Sequence, residues 1–121
     1  MNDTQTEQTT EPQARQNSEL FNYEVSFADM GVRKSVLEGL EHAGFQHPTD
    51  IQAKLIPVLM DDRDALGQAR TGTGKTAAFG VPVLCKAEKD IAVQALVLAP
   101  TRELSAQVAQ ELNELGKFTP I

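Results

Sequence analysis

One stretch of the chain has residue types and spacing that can do chemistry: Ala69-Arg70-Thr71-Gly72-Thr73-Gly74-Lys75-Thr76. Gly72 and Gly74 carry no Cβ, so the backbone there can take positive φ and come close to an anion. Successive N–H groups in such a curl form an anion-binding concavity. A helix opening near Gly74 adds free N–H groups and the positive end of its dipole. Lys75 then reaches the β- and γ-phosphates of a nucleoside triphosphate, and the Thr76 hydroxyl meets Mg²⁺. The general phosphate-loop pattern asks for a glycine five residues before Gly74, and this chain has Ala69 there. The match is Gly-Lys-Thr plus Gly72, so the surrounding elements must decide it.

The elements that would hold this loop are legible from periodicity and punctuation. Ala65–Gln68 is a short strand leading into it, and a helix from Lys75 to about Ala87 leads out, with a bend expected at Pro82. Ile91–Ala99 is apolar nearly throughout, the pattern of a strand buried on both faces of a parallel sheet. Pro100-Thr101 turns the chain, and Thr101 caps a last helix to about Lys117 with Leu104, Val108, Leu112 and Leu115 on one face. Upstream, Asp29 is placed to cap a helix from about Val32 to Ala43, with Val36, Leu37 and Leu40 on its apolar face and Gly44 at its end. Thr49 and Gln52 have the spacing of a capping box. The helix they open runs to about Met60 with Ile51, Leu55 and Leu59 on one face and a bend at Pro57. Strand, loop, helix, strand, helix is the order of an α/β sheet.

Composition narrows the classes further. The chain has 121 residues, room for one ordinary domain at most, with 40% hydrophobic and 5% aromatic residues, as in a soluble globular protein. Its net charge of −6 excludes a basic nucleic-acid glove. About half of that charge sits in the first 22 residues, where Asp3, Glu7, Glu11 and Glu19 outweigh Arg15. That stretch, Met1 to Asn22, is polar and almost free of apolar residues, and reads as a disordered tail. The single Cys85 cannot form an internal disulfide, which fits a reducing cytosol. No apolar run is long enough for a signal peptide or a bilayer span, so a cytoplasmic protein without a membrane partner is expected. His42 and His47 lack metal-ligand spacing and read as solvated or structural.

With three motifs in order, the chain resembles the start of a DEAD-box ATP-dependent RNA helicase. Gly44-Phe45-Gln46-His47-Pro48-Thr49-Asp50-Ile51-Gln52 is similar to that family's Q motif, Gly-Phe-x-x-Pro-Thr-x-Ile-Gln. Ala69 to Thr76 is similar to its motif I, Ala-x-Thr-Gly-x-Gly-Lys-Thr, so Ala69 is the family's own choice. Pro100-Thr101-Arg102-Glu103-Leu104 is similar to motif Ia. Phe27 stands seventeen residues before Gly44, where the family carries a lone aromatic. The resemblance covers about Val25 to Lys117. It departs from the usual pattern at Arg70, where Gln is also common, and at Ser105, where Ala is usual.

The resemblance implies an incomplete RecA-like P-loop domain over residues 23–121, a parallel sheet with flanking helices, behind a tail over residues 1–22. It implies ATP and Mg²⁺ as cofactors. Ala69, Arg70, Thr71, Gly72, Thr73, Gly74, Lys75 and Thr76 would hold the phosphates. Lys75 and Thr76 would be the catalytic members, and Thr76 would meet Mg²⁺ through ATP. Gln52 would select adenine, because its amide complements the N6 and N7 edge. Phe27 would stack on the base, and Thr49 would tie the Q-motif helix to the loop. Phe45 is expected as a scaffold residue. Pro100, Thr101 and Arg102 would contact an RNA backbone without regard to sequence. For Gln52 the plainer role is a helix cap alone, for Phe27 a core aromatic, and for Thr101 and Arg102 a cap and a pair with Glu103 or a nearby carboxylate.

The 121 residues contain no Asp-Glu-Ala-Asp and no Ser-Ala-Thr. They are expected to be the N-terminal piece of a helicase, incapable alone of hydrolysing ATP. The alternative is a truncated, non-catalytic module that binds nucleotide, RNA or a partner; another P-loop NTPase is a third reading. In RecA-like sheets later strands separate the phosphate-loop strand from the motif-Ia strand. Without them the chain is expected to expose unpaired edges and to be marginally stable and prone to aggregate.

Overall fold

The computed structural model describes residues 20–121, so all but the end of the expected tail lies outside the described residues. Among those residues a 3₁₀ turn, Ala28–Met30, precedes four α-helices: α1 Lys34–His42, α2 Asp50–Met60, α3 Lys75–Lys86 and α4 Arg102–Leu115. Leu20 to Asn22 run beside the start of α2: Phe21 bridges antiparallel to Thr49, and the Asn22 N–H donates to the Pro48 carbonyl at 2.8 Å.

Asp29 does not cap α1 as expected. Its carboxylate accepts from the Ser26 N–H at 3.0 Å, and its own N–H donates to Ser26 Oγ at 3.2 Å. This reciprocal pair closes the 3₁₀ turn, and Gly31 then redirects the chain before α1 begins without a side-chain cap. The carboxyl is held below its ordinary pKa by bonds from Ser26, first its backbone N–H and then its hydroxyl. The end of α1 follows expectation. Phe45 N–H reaches Leu40 O at 2.9 Å and Gly44 N–H reaches Glu41 O at 3.0 Å, which satisfies carbonyls that α1 leaves open.

The core is where α1, α2, α3 and the end of α4 meet. Phe27, Val32, Val36, Leu40, Ile56, Ala77, Val81, Leu84 and Leu115 form one buried cluster. Removing each of the larger aliphatic side chains from water contributes about 1.5–3 kcal/mol. Gly39 sits against the Leu115 carbonyl, and a Cβ there would collide with it, so only glycine lets α1 and α4 approach so closely. The α2 face differs from the expected one. Gln52 and Ile56 are buried, whereas Ile51, Leu55 and Leu59 are half-buried. Ile51 and Leu55 instead flank Gly67 in the approach to the loop.

The expected parallel sheet is not formed among the described residues. Ala65–Gln68 and Ile91–Ala99 run without strand pairing. Leu66 is 100% exposed and Leu98 85%. The two segments do not pair with each other, so their backbone groups join no ladder among the described residues. At the start of the second segment the chain is held by side chains. The Gln94 amide accepts from the Glu88 N–H at 2.7 Å and donates to the Glu88 and Ile91 carbonyls at 2.7 and 2.9 Å. Val93 adopts φ 52°, a strained choice for a β-branched residue, and is itself exposed.

Candidate nucleotide-binding site

The loop is built on the two expected glycines. Gly72 has φ 80° and Gly74 φ 79°. Gly74 is the N-cap of α3, and no side chain caps that helix. Its first N–H groups and the positive end of its dipole therefore remain available to an anion. The Thr73 hydroxyl donates to the Arg70 carbonyl at 2.6 Å and braces the turn. Ala69 is half-buried, while Arg70, Thr71 and Lys75 are exposed. Thr76 is half-buried, and Ala77 and Ala78 behind it are buried in the α3 packing. The Lys75 amine can thus move to a phosphate, while the Thr76 hydroxyl is carried on a fixed turn.

The α2 N-terminus buttresses this loop from behind. The capping box is complete: Thr49 N–H donates to Gln52 Oε1 at 2.9 Å, and Gln52 N–H donates to Thr49 Oγ1 at 3.4 Å. Gln52 Nε2 also donates to the Gly74 carbonyl at 3.1 Å. The tie between helix and loop expected of Thr49 is therefore made by Gln52, because its amide reaches one turn further. Gln52 is fully buried. Its amide spends one lone pair on Thr49 and one N–H on Gly74, which leaves one acceptor position and one donor position.

Phe27 is not offered to a ligand in this conformation. It is 5% exposed within the core and meets Phe45 edge to face, with ring centroids 6.4 Å apart. It belongs to the same buried core cluster as Val32 and Val36. Phe45 packs on that core and also lines a cleft of about 770 Å³. Gln52, Thr49, Gly72 and Gly74 border the same cleft. Sequence reasoning missed three other neighbours of that cleft, Tyr23, Glu111 and Glu114, and gave His47 no part in a site. Glu111 and Glu114 are solvent-facing charges on α4 in the sequence pattern, so no local signal marks them.

The Pro100–Arg102 group lies apart from the cleft, in a shallow recess with Ser105 and Ala106. Thr101 caps α4, its hydroxyl accepting from the Leu104 N–H at 3.1 Å. Arg102 is exposed and makes no salt bridge among the described residues, so the expected alternative pairing with Glu103 is not formed. Cys85 is half-buried and packed on the core, and burial pushes its thiol pKa up. His42 packs on Phe118 and His47 on Tyr23. Among the described residues no group of three or more His, Cys, Asp or Glu is placed to hold a metal. No helix among them is long and apolar enough to cross a membrane.

A family model described as DEAD/DEAH box helicase matches residues 49–121. The chain is 51% identical over 92 residues to the DEAD-box ATP-dependent RNA helicase CshA of Geobacillus kaustophilus, covering 75% of this chain and 20% of that protein. It is 50% identical over 96 residues to the ATP-dependent RNA helicase DeaD of Klebsiella pneumoniae, covering 78% and 15%. Among solved structures it is similar to S. cerevisiae Dbp5 bound to RNA and ADP BeF3, with TM-score 0.76 and 39% identity over 79% of this chain and 25% of that one. It is also similar to a DEAD box protein from the hyperthermophile Methanococcus jannaschii, with TM-score 0.72 and 40% identity over 74% and 25%. The chain spans about a fifth or less of the length of these curated relatives.

Proposed function

The chain belongs to the DEAD/DEAH box helicase family, and from that premise we propose that residues 23–121 are the ATP-gripping N-terminal part of the first RecA-like domain of a cytoplasmic ATP-dependent RNA helicase. One observation carries the reading. Two glycines at positive φ lead into α3, which has no side-chain cap, and a buried glutamine from α2 holds the second of them by its carbonyl. Such a cradle fits a triphosphate, because the backbone curl and the helix terminus both present N–H groups.

In this reading Ala69 to Thr76 wrap the phosphates, Lys75 neutralises the β- and γ-phosphates, and Thr76 offers its hydroxyl to Mg²⁺. The ion, when bound, supplies charge neutralisation between the phosphates. Gln52 has a dual role. It fixes the loop through Gly74, and its remaining acceptor and donor are what the N6 and N7 edge of adenine demands. Because Gln52 is fully buried, that pairing requires the end of the cleft to open slightly. Pro100, Thr101 and Arg102 present a hydroxyl, a guanidinium and free N–H groups to an RNA phosphate at the start of α4.

The 121-residue chain grips ATP without cleaving it. It has no Asp-Glu-Ala-Asp to position the metal and the attacking water, and phosphoryl transfer needs those groups placed together. The second reading, a non-catalytic nucleotide-, RNA- or partner-binding module, shares this expectation for the chain alone. Titration calorimetry with ATP and Mg²⁺ tests the grip. A charge-assisted bond contributes roughly 1.5–3 kcal/mol, so Lys75→Ala weakens binding about tenfold or more. Equal affinity in the two proteins would overturn the assignment. ATP turnover that Lys75→Ala abolishes would overturn the claim of incompetence.

A further inference from the structure

Gln52 holds the phosphate loop at its exit, through the Gly74 carbonyl at 3.1 Å. The same helix also meets the chain at the loop's entry. Ile51 and Leu55, one turn apart on α2, lie against Gly67, two residues ahead of Ala69. A Cβ on Gly67 would stand 3.3 Å from Leu55 Cδ2 and 3.4 Å from Ile51 Cδ1. That is inside the roughly 3.5–4.0 Å at which carbon atoms attract best. Gly67 is open to solvent on its other side. The core-facing positions of α2 are Gln52 and Ile56, while Ile51 and Leu55 are only half-buried. This apolar pair therefore serves the loop's entry more than the core. One helix grips the loop twice, by two aliphatic side chains before the turn and by an amide after it.

We propose that Gly67 is a positioning residue of the phosphate loop: its missing side chain seats the entry on Ile51 and Leu55, so that α2 fixes both ends of the turn. The inference rests on the phosphate-loop reading above and gives Gly67 no contact with the nucleotide. A single added methyl asks its neighbours to give by a few tenths of an ångström, which the end of the Leu55 side chain can do. Valine brings three carbons to a space already filled. It lifts the entry off α2 while Gln52 still holds Gly74, and the mismatch falls on the turn between them. The loss then appears in the grip on the phosphates, with or without a base attached.

Calorimetry on the 121-residue chain, with tripolyphosphate and with ATP in Mg²⁺, tests this. Gly67→Val should weaken both ligands alike, about tenfold, and Gly67→Ala less than about twofold. Leu55→Ala removes the three carbons that valine adds, so the double variant Gly67→Val/Leu55→Ala should recover most of the affinity for both ligands. A merely structural defect would instead deepen with the second substitution. Valine at the next position, the exposed Gln68, controls for chain stiffness and should leave both affinities within about twofold. Circular dichroism should show the same helical signal in all four variants. If Gly67→Val binds as the unaltered chain does, if Gln68→Val loses as much, or if Leu55→Ala restores nothing, the positioning role falls and the loop reading stands. If the unaltered chain binds neither ligand, or Lys75→Ala binds both as well as it does, the loop reading falls and takes the positioning role with it.

Discussion

Gly72 and Gly74 share almost the same φ, yet they are not equivalent. An added Cβ at Gly72 meets nothing within 4 Å, whereas at Gly74 it runs into the Gln52 amide. Gly72→Ala therefore costs only the left-handed strain of roughly 1–2 kcal/mol. Gly74→Ala adds the loss of the buried Gln52 bond to the Gly74 carbonyl, about 1–3 kcal/mol more. Hydrogen exchange at the first-turn amides of α3 should accelerate much more in Gly74→Ala than in Gly72→Ala; equal acceleration would contradict the buttress. The glycines themselves were legible from spacing, because positive φ is a local demand. The buttress was not. A capping box joins residues three apart and shows in the sequence, but Gln52 and Gly74 are 22 residues apart and meet only through the packing of α2 on α3. Phe27, buried in the core cluster, shows a related limit. An aromatic at a fixed spacing looks the same whether its ring faces a ligand or the core. Cys85 adds a consequence at this scale. Burial raises its thiol pKa, so the thiolate is scarcer at neutral pH than on an ordinary cysteine.

At the level of elements, the helix ends decided more than the helix interiors. Thr49 and Thr101 both cap where the sequence places them, while Asp29 is captured by Ser26 one turn too early. Periodicity found the α1 stripe and part of the α4 stripe: Val36, Leu40, Val108 and Leu115 are buried, whereas Leu104, expected on the same face, is exposed. It misjudged α2, where the buried face centres on Gln52, a polar residue that no apolar count can flag. Arg102 at the start of α4, exposed and without a salt bridge among the described residues, gives this scale its prediction. If it contacts a nucleic-acid phosphate, Arg102→Ala should weaken single-stranded RNA binding alike for different sequences and lower the salt slope by about 1. Circular dichroism should not change, since Thr101 still caps the helix. A loss confined to one RNA sequence, or no loss, would remove Arg102 from the interface. Thr101→Ala should cost the helix about 1 kcal/mol and Thr101→Ser much less, which separates the capping role from the RNA role.

For the whole molecule, the open question of the sheet becomes one of surface chemistry. Sequence patterning assigned Ile91–Ala99 to a strand buried on both faces, and the segment kept that composition without finding partners. Val93, Leu96 and Leu98 lie open, beside backbone groups with no ladder to join. Periodicity records what a segment needs, not whether a neighbour is present to meet the need, so the apolar run was readable and its pairing was not. An exposed β-prone apolar segment with free N–H and C=O groups is a template for another chain. The net charge of −6 opposes association, but its repulsion is screened within about 10 Å at 0.1 M salt. Association should therefore increase with salt as well as with protein concentration. Replacing Leu96 and Leu98 together by lysine should suppress it without loss of helical signal, because neither side chain belongs to the helical core. The two lysines also bring the net charge from −6 to −4, which by itself would favour association, so suppression must come from the lost apolar surface. Light scattering against salt and concentration, run beside circular dichroism, checks this. A monomeric gel-filtration peak with a cooperative unfolding transition in the unaltered chain would refute it, by showing that the four helices alone make a self-sufficient fold.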